Sequence, residues 1–240
     1  FKITIIVLPA LAIGLPLRLS QKLGKQDWGE TLTGFGLLFL GLDFLKKSVP
    51  AIQDTPQILE FMSRVTDLGF LSFIIFVAFG TVLTFMVQSS SAAMAITLTM
   101  AFSGWIDYPT AAAIVLGENI GTTATAFIAS IGTNVNARRA SRAHTLFNLF
   151  GVVWMAILFR PFLNVVDLIV PGSPTNGAIT AHLAMFHTLF NIVNTVIFIG
   201  FVKQLESLVK RVAKMKRGEE ELEYQLKYIS TNVADTPELN

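Results

Sequence analysis

The sequence predicts an all-α integral membrane protein, built as a helical bundle with broken or re-entrant helices. Hydrophobic residues make up 52% of the 240-residue chain and charged residues only 14%, whereas a soluble domain carries about 25% charged residues. The charges are also unevenly placed. Residues 65–137 contain no Lys or Arg, and their acidic residues are Asp67, Asp107 and Glu118. So long an apolar stretch is typical of a chain embedded in a membrane.

The composition also excludes several classes of protein. There is no Cys, which excludes disulfides, zinc–thiolate sites and thiol catalysis. The net charge is +2, and the basic residues lie beside apolar segments instead of forming a nucleic-acid patch. We therefore expect the lipid bilayer, and no nucleic acid, as a partner. Residues 1–19 lack a small-residue cleavage site, which favours a membrane helix over a signal peptide.

The predicted helices follow the apolar runs of the chain. These runs fall at about residues 3–19, 32–45, 68–87, 92–106, 110–131, 146–163 and 184–202. A simple span needs about 20 apolar residues, and the first, second and fourth runs are shorter than that. Short apolar pieces interrupted by glycine in a membrane protein indicate broken or re-entrant helices.

Basic residues predict the orientation of the second half. Arg138, Arg139 and Arg142 lie in a predicted loop between two runs, and more Lys and Arg follow residue 202. The loop around Pro171 has none. The positive-inside rule therefore places the arginine loop and the C-terminus in the cytoplasm, with the Pro171 loop outside.

Two domains are predicted, a transmembrane domain over residues 1–203 and a cytoplasmic segment over residues 204–240. Leu205, Leu208, Val209 and Val212 have helical spacing, and the pattern predicts an amphipathic helix over residues 204–230. This helix is either a basic anchor on the membrane surface or a linker to a soluble domain.

The first polar cluster is Gln88, Ser89, Ser90 and Ser91, between two apolar runs. Four consecutive side chains cannot share one face of a continuous helix. Unpaired polar groups in lipid cost several kcal/mol. We therefore predict a helix break whose polar groups converge on a cavity, with Thr84, Thr97 and Thr99 in the same region. The alternative is that the serines merely allow close helix packing.

The second cluster is the segment from Gly117 to Thr123, which includes Glu118, Asn119 and Thr122. Gly117 and Gly121 have the G-x-x-x-G spacing that allows helices to approach closely. An ionisable residue in such an apolar run points to function. The alternatives place Glu118 at a membrane edge, or protonated and hydrogen-bonded.

The two clusters together suit sodium and an oxyanion. Sodium takes oxygen ligands, which hydroxyls, amides and carboxylates supply. An anion needs donors and positive potential, which helix N-termini and bound sodium can provide where Lys and Arg are missing.

A pentapeptide repeat supplies the remaining polar candidates. His144 and Asn148 recur as His187 and Asn191 in the same five-residue pattern, four residues apart and so on one helix face. Hydrogen bonds between helices are expected from these residues, and metal binding by the two histidines is the alternative.

These motifs resemble the type II sodium–phosphate cotransporter family in its bacterial form. The resemblance rests on Gln88 to Ser91, on Gly117 to Thr123 without Glu118, and on the two His-x-x-Phe-Asn segments. It implies two inverted repeats, of which this chain carries the second. The missing first repeat, or a second copy, is then expected to complete the site. A bacterial inner-membrane location and a C-terminal lead into a helical regulator-like domain are also implied.

The resemblance further implies which residues bind. Phosphate ligands are expected at Gln88, Ser89, Ser90, Ser91, Asn119 and Thr122. Sodium ligands are expected at Gln88, Ser89, Ser91, Asn119, Thr122 and Thr123, with Glu118 added for its carboxylate. Glu118 stands where the family motif often has a small residue.

The function implied is symport of inorganic phosphate with sodium by alternating access. Symport of another oxyanion, and a membrane-embedded phosphate sensor, are the alternatives. An enzyme is not predicted, because neither His144 nor His187 is accompanied by a nucleophile–base pair or a carboxylate-rich metal set. No cofactor is expected; sodium is a co-transported ligand.

Overall fold

The computed structural model describes residues 4–48, 60, 64–66 and 68–214, and in that part of the chain the secondary structure is helical. This confirms the predicted all-α fold class. The longer helices are α1 (Thr4–Leu19), α2 (Gln26–Ser48), α3 (Phe70–Val87), α4 (Ser90–Phe102), α5 (Tyr108–Ala129), α6 (Val135–Ile169), α7 (Ile179–Ile199) and α8 (Val202–Val212). Helices α3, α5, α6 and α7 are long and apolar enough to cross a membrane.

Helices α3 and α5 run parallel and lie unusually close together. A Cβ atom added to Gly80 would lie 2.0 Å from the carbonyl oxygen of Ile114, and one added to Gly117 would lie 2.0 Å from that of Val77. Further along, Gly121 faces Thr81 and Thr84. From the contact of Gly80 with Ile114 to that of Thr84 with Gly121 the residue numbers rise on both helices, so both run in the same direction. The G-x-x-x-G spacing thus marks a real close crossing.

Because α3 and α5 are parallel, α4, which connects them in the chain, runs in the opposite direction. Helices α3 and α4 therefore form a helical hairpin. Its tip is at Gln88 and Ser89, where α3 ends and α4 begins. Helix α4 has 13 residues and is therefore about 20 Å long, shorter than the hydrocarbon core of about 30 Å. The predicted helix break is confirmed, and its form is a hairpin.

Helix α5 lies at the centre of the bundle. Its residues 111–118 are all buried, and it packs against α3, α4, α6 and α7. Most of these positions are alanine or another small or medium-sized residue, which lets four helices approach one axis. Helices α1 and α2 pair with each other, and α2 also contacts α4.

Helices α6 and α7 are antiparallel and are joined by Asn194. Its amide nitrogen donates to the carbonyl oxygen of Phe147 at 3.2 Å, and its amide oxygen accepts from the Trp154 indole at 3.0 Å. The bonds between helices expected at Asn148 and Asn191 form here instead. Those two amides donate to the carbonyl oxygens of His144 and His187, on their own helices. A carbonyl four residues earlier is within reach without any partner helix, so it satisfies the amide first.

The arginines predicted in a loop lie in the first turns of α6. The side chain of Asn134 accepts a hydrogen bond from the backbone nitrogen of Ala137, which starts the helix at Val135. Helix α6 has 35 residues and is therefore about 52 Å long, which exceeds the thickness of the hydrocarbon core. The loop prediction was wrong because a helix that extends beyond the membrane can carry charge on its outer turns.

One end of the bundle therefore collects the hairpin tip, the end of α5, the start of α6 and the end of α7. We call it the arginine end, after Arg138, Arg139 and Arg142. Helix α8 packs on α6 there. The amphipathic helix predicted over residues 204–230 begins at Val202 and ends at Val212, and residues 215–230 of that prediction lie outside the described residues.

Candidate functional site

The hairpin tip is formed by two residues with contrasting backbone conformations. Gln88 is left-handed, with φ 55°, and its backbone nitrogen donates to the carbonyl oxygen of Thr84 at 2.8 Å. Ser89 is extended, and its hydroxyl accepts from the backbone nitrogen of Ala92 at 3.3 Å. Ser89 is therefore the N-cap of α4, which explains why the chain turns here.

The conformation of Gln88 is costly for a residue with a side chain. In the described part of the chain the other positive φ angles belong to Gly24, Gly69, Gly104, Gly132 and Gly172. A left-handed residue other than glycine costs about 1–2 kcal/mol. Such a cost at one position is a reason to look for a use of its side chain.

Two helix ends of opposite polarity meet at the tip. The last carbonyl groups of α3 carry partial negative charge, and the first N–H groups of α4 carry partial positive charge. Broken membrane helices use these two ends to hold cations and anions respectively. The side chains of Gln88, Ser89, Ser90 and Ser91 are all exposed on this chain, so they are available to a ligand or to a covering segment.

A groove of about 770 Å³ lies beside the tip, on the side of α4 that faces α2. Ser89, Ser91 and Thr99 line it together with apolar side chains such as Leu38 and Leu98. Polar side chains therefore line the groove at the tip, from Ser89 and Ser91, and also away from the tip, from Thr99 and Thr180.

The second cluster lies on α5, in the region that passes the end of α3. Gly121 contacts Thr84, one turn before the tip. The hydroxyls of Thr122 and Thr123 donate to the carbonyl oxygens of Asn119 and Ile120, at 2.7 and 2.8 Å. The Asn119 amide donates to the carbonyl oxygen of Val115 at 3.1 Å. These side chains are held by their own helix, and their oxygens keep lone pairs that can still accept a bond.

Glu118 is the polar group that ties the second cluster to the hairpin. The Thr97 hydroxyl on α4 donates to Glu118 Oε1 at 2.6 Å. Thr97 is 0% exposed and Glu118 3% exposed. Glu118 lies midway along α5 and is buried, which argues against the alternative that placed it at a membrane edge. No hydrogen bond joins Ser89–Ser91 directly to Asn119 or Thr122 among the described residues.

Sequence reasoning missed Thr81 and Gly80. The Thr81 hydroxyl donates to the carbonyl oxygens of Val77, at 2.8 Å, and Gly117, at 3.1 Å. It therefore bonds across the crossing that Gly80 and Gly117 allow. The sequence did contain an indication of this contact, because small residues stand at positions 80, 81 and 84 of the apolar run 68–87.

The described residues contain no group of three or more His, Cys, Asp or Glu side chains that could hold a metal ion together. His144 is exposed and His187 is half-buried. Cation ligands in this part of the chain therefore come from hydroxyls, amides, backbone carbonyls and single carboxylates. That donor set suits sodium better than a transition metal.

Comparisons with known proteins point to phosphate transport. Residues 55–170 match the Na+/Pi-cotransporter family. YjbB of Salmonella typhimurium, a protein named for inorganic phosphate export, is 27% identical over 95% of this chain, which spans 40% of the length of YjbB. Sodium-dependent phosphate transport protein 2C of Mus musculus is 34% identical over 47% of this chain and 19% of its own length. No solved structure matches the chain.

Proposed function

Because residues 55–170 place this chain in the Na+/Pi-cotransporter family, we propose that it forms one part of a sodium-coupled symporter of inorganic phosphate. The α3–α4 hairpin is the substrate-binding element of this proposal. Its support is the helix break at Gln88, where two helix ends and four exposed polar side chains meet. Phosphate or a closely related oxyanion is the substrate class.

At the tip, the binding of phosphate depends on the binding of sodium. Sodium takes carbonyl oxygens at the end of α3 and the side-chain oxygens of Gln88, Ser89 and Ser91. Phosphate takes hydroxyls and backbone N–H groups at the start of α4, with Ser90 as a donor. The hairpin and α5 bring no Lys or Arg. Bound sodium therefore supplies the positive charge that phosphate requires, and this makes binding of the two ions interdependent.

Residues of α5 support the tip in this proposal. Asn119, Thr122 and Thr123 lie on the helix that contacts α3 one turn before Gln88. Their oxygens are held by bonds to the backbone of α5, and they complete the sodium coordination when the hairpin closes on α5. In this proposal Asn119, Thr122 and Thr123 are supporting ligands, and Gln88 to Ser91 are the primary ligands.

The exposed tip needs a cover inside a membrane, since uncovered polar groups there cost several kcal/mol each. We infer that an inverted first repeat, or a second copy of this chain, packs against the hairpin. The site then lies between two similar halves. Movement of one half against the other opens it to each side in turn, which is alternating access.

The topology supports one orientation. The arginine end carries Arg138, Arg139 and Arg142 and also the basic helix α8. By the positive-inside rule we place this end in the cytoplasm of a bacterial inner membrane. The hairpin then enters from the outer side, and its tip points toward the cytoplasm.

Sodium dependence is the expected result of a transport assay on the full-length protein. In proteoliposomes we expect labelled phosphate uptake with an inward sodium gradient, and uptake at least about tenfold lower when choline replaces sodium, because the anion then lacks its counter-charge. Equal uptake in choline would contradict sodium coupling.

The name of YjbB favours phosphate export as a second candidate function, and export need not be coupled to sodium. The same vesicles decide between the two when they are loaded with phosphate. Efflux that is unaffected by sodium on either side would support export. A protein that binds phosphate but moves none in either direction would be a sensor.

A further inference from the structure

The strongest unexplained group in the described chain is the carboxyl of Glu118. One oxygen, Oε1, accepts the bond from Thr97, but the other, Oε2, is fully buried without a hydrogen-bond partner. The hydroxyl of Thr84 on α3 is likewise buried, at 1% exposed, and unpartnered. Thr84 lies against Gly121, one turn along α5 from Glu118. Thr97 on α4 thus bonds Glu118 directly, and Thr84 on α3 contacts α5 one turn away from Glu118.

No cationic side chain pairs with this carboxyl. Helices α3 and α4 contain no charged residue, and Glu118 is the only one in α5. The other helices packed on α5 are α6 and α7, and none of their charged or titratable side chains forms an ion pair with Glu118; these are Arg138, Arg139, Arg142, His144, Arg160, Asp167, His182 and His187. Arg142, the farthest of the three arginines from the start of α6, rests on the ring of Phe127 at 3.6 Å.

A buried carboxylate without a partner is strongly unfavourable in a membrane interior. Its charge must be neutralised by a cation, and no cationic side chain of the described residues pairs with it, which leaves a cation that binds and dissociates. We propose that Glu118 is an exchangeable site for a monovalent cation, either sodium or a proton, with Thr97 and Thr84 as the neighbouring oxygens.

This site is separate from the hairpin tip. Thr97 lies eight residues beyond Ser89, which is about 12 Å along α4. The site therefore sits within the contact of α3, α4 and α5 and not at the exposed break. It adds a second cation to the one expected at the tip.

The site has a mechanical consequence. A bound cation holds the hairpin to α5, because the oxygens come from α3, α4 and α5. Loss of the cation leaves an unpaired charge in this contact and weakens it. The occupancy of Glu118 thereby biases the hairpin position. That coupling to transport rests on the proposed function, whereas cation binding by Glu118 does not.

Thermal unfolding of the purified full-length protein tests the site without phosphate. The melting temperature is followed against sodium concentration at several pH values, with choline to keep ionic strength constant. If sodium occupies Glu118, protons compete with it, and the sodium concentration for half-maximal stabilisation rises as pH falls, by up to about tenfold per pH unit. If only a proton occupies it, acidification stabilises the protein equally in sodium and in choline. Either result supports the site, provided that the response is lost in E118Q.

The variant E118Q keeps the shape of the side chain and can still accept the bond from Thr97, but it cannot carry a charge. E206Q is the matched control, since Glu206 is exposed on α8 and hydrogen-bonded to Lys210, which lowers its pKa. We expect E118Q to lose the pH-dependent response and E206Q to keep it. The same pH and sodium dependence in E118Q as in the unmodified protein would overturn the proposal.

The outcomes also separate this inference from the proposed function. Sodium-coupled uptake together with an unchanged E118Q would remove the Glu118 site and leave the symporter. Sodium-independent transport together with a lost pH response in E118Q would remove the coupling and leave the site.

Discussion

Replacing Gly117 with alanine is expected to disrupt the bundle at its centre. The added methyl would lie 2.0 Å from the carbonyl oxygen of Val77 and 2.9 Å from the backbone nitrogen of Thr81. Both atoms belong to the backbone of α3, so neither can swing aside, and the two helices must separate. Overpacking of this kind costs about 1–3 kcal/mol, and more where nothing can yield. We expect a clear fall in melting temperature. We also expect phosphate uptake to fall by about tenfold or more, because displacement of α3 also displaces the hairpin tip.

Gly34 provides the matched control for this substitution. It is also a helical glycine, on α2, and an added Cβ would meet no atom within 4 Å. G34A should therefore fold and transport as the unmodified protein does, or be slightly more stable through its helix propensity. If G117A and G34A had the same melting temperature, the close parallel crossing of α3 and α5 would be wrong.

The second large effect is expected at Gln88, where stability and activity should change in opposite directions. Glycine adopts the left-handed conformation without a steric penalty. Q88G should therefore keep the hairpin and raise the melting temperature. It removes the side-chain amide from the tip, so we expect sodium-dependent uptake to fall by at least about tenfold, as an interaction with a charged ligand worth about 1.5 kcal/mol or more is lost.

Q88A separates the side chain from the backbone at this position. It lacks the amide, as Q88G does, but keeps the cost of a left-handed residue with a Cβ. Both variants should therefore transport poorly, while only Q88A should be no more stable than the unmodified protein. Full uptake by Q88G would show that Gln88 serves the turn alone and binds neither ion.

The sequence was most informative where polar residues interrupt apolar runs. Gln88 to Ser91 predicted a break because no continuous helix can hide four adjacent polar side chains, and the break is there. The G-x-x-x-G spacing of Gly117 and Gly121 predicted a close crossing, and backbone atoms do lie against both glycines. These two features depend on local chemistry, which a sequence carries directly.

Features that depend on the choice of partner helix could not be predicted. Nothing in the spacing of Asn148, Asn191 and Asn194 says which amide faces another helix, and Asn194 does so. Asn148 and Asn191 find a carbonyl on their own helix first. The burial of Glu118 beside the uncharged helices α3 and α4 also required the fold, since its apolar sequence neighbours suit a membrane edge equally well.

The arginines at the start of α6 show a different limit. Charge predicted an aqueous location for Arg138, Arg139 and Arg142 but not their secondary structure. Asn134 is an N-cap residue that could have indicated the helix start. The apolar run over residues 146–163 located only the membrane part of α6, and the helix extends beyond this run at both ends.

Phosphate is expected to bind at the hairpin tip only when sodium supplies its counter-charge. Equilibrium binding of labelled phosphate to the purified full-length protein, in sodium and in choline at equal ionic strength, measures this most directly. We predict binding in sodium that is lost in choline and strongly reduced by S90A, with S103A, a serine at the far end of α4, as the unaffected control. Phosphate affinity that is the same in sodium and in choline, or unchanged in S90A, would contradict the account.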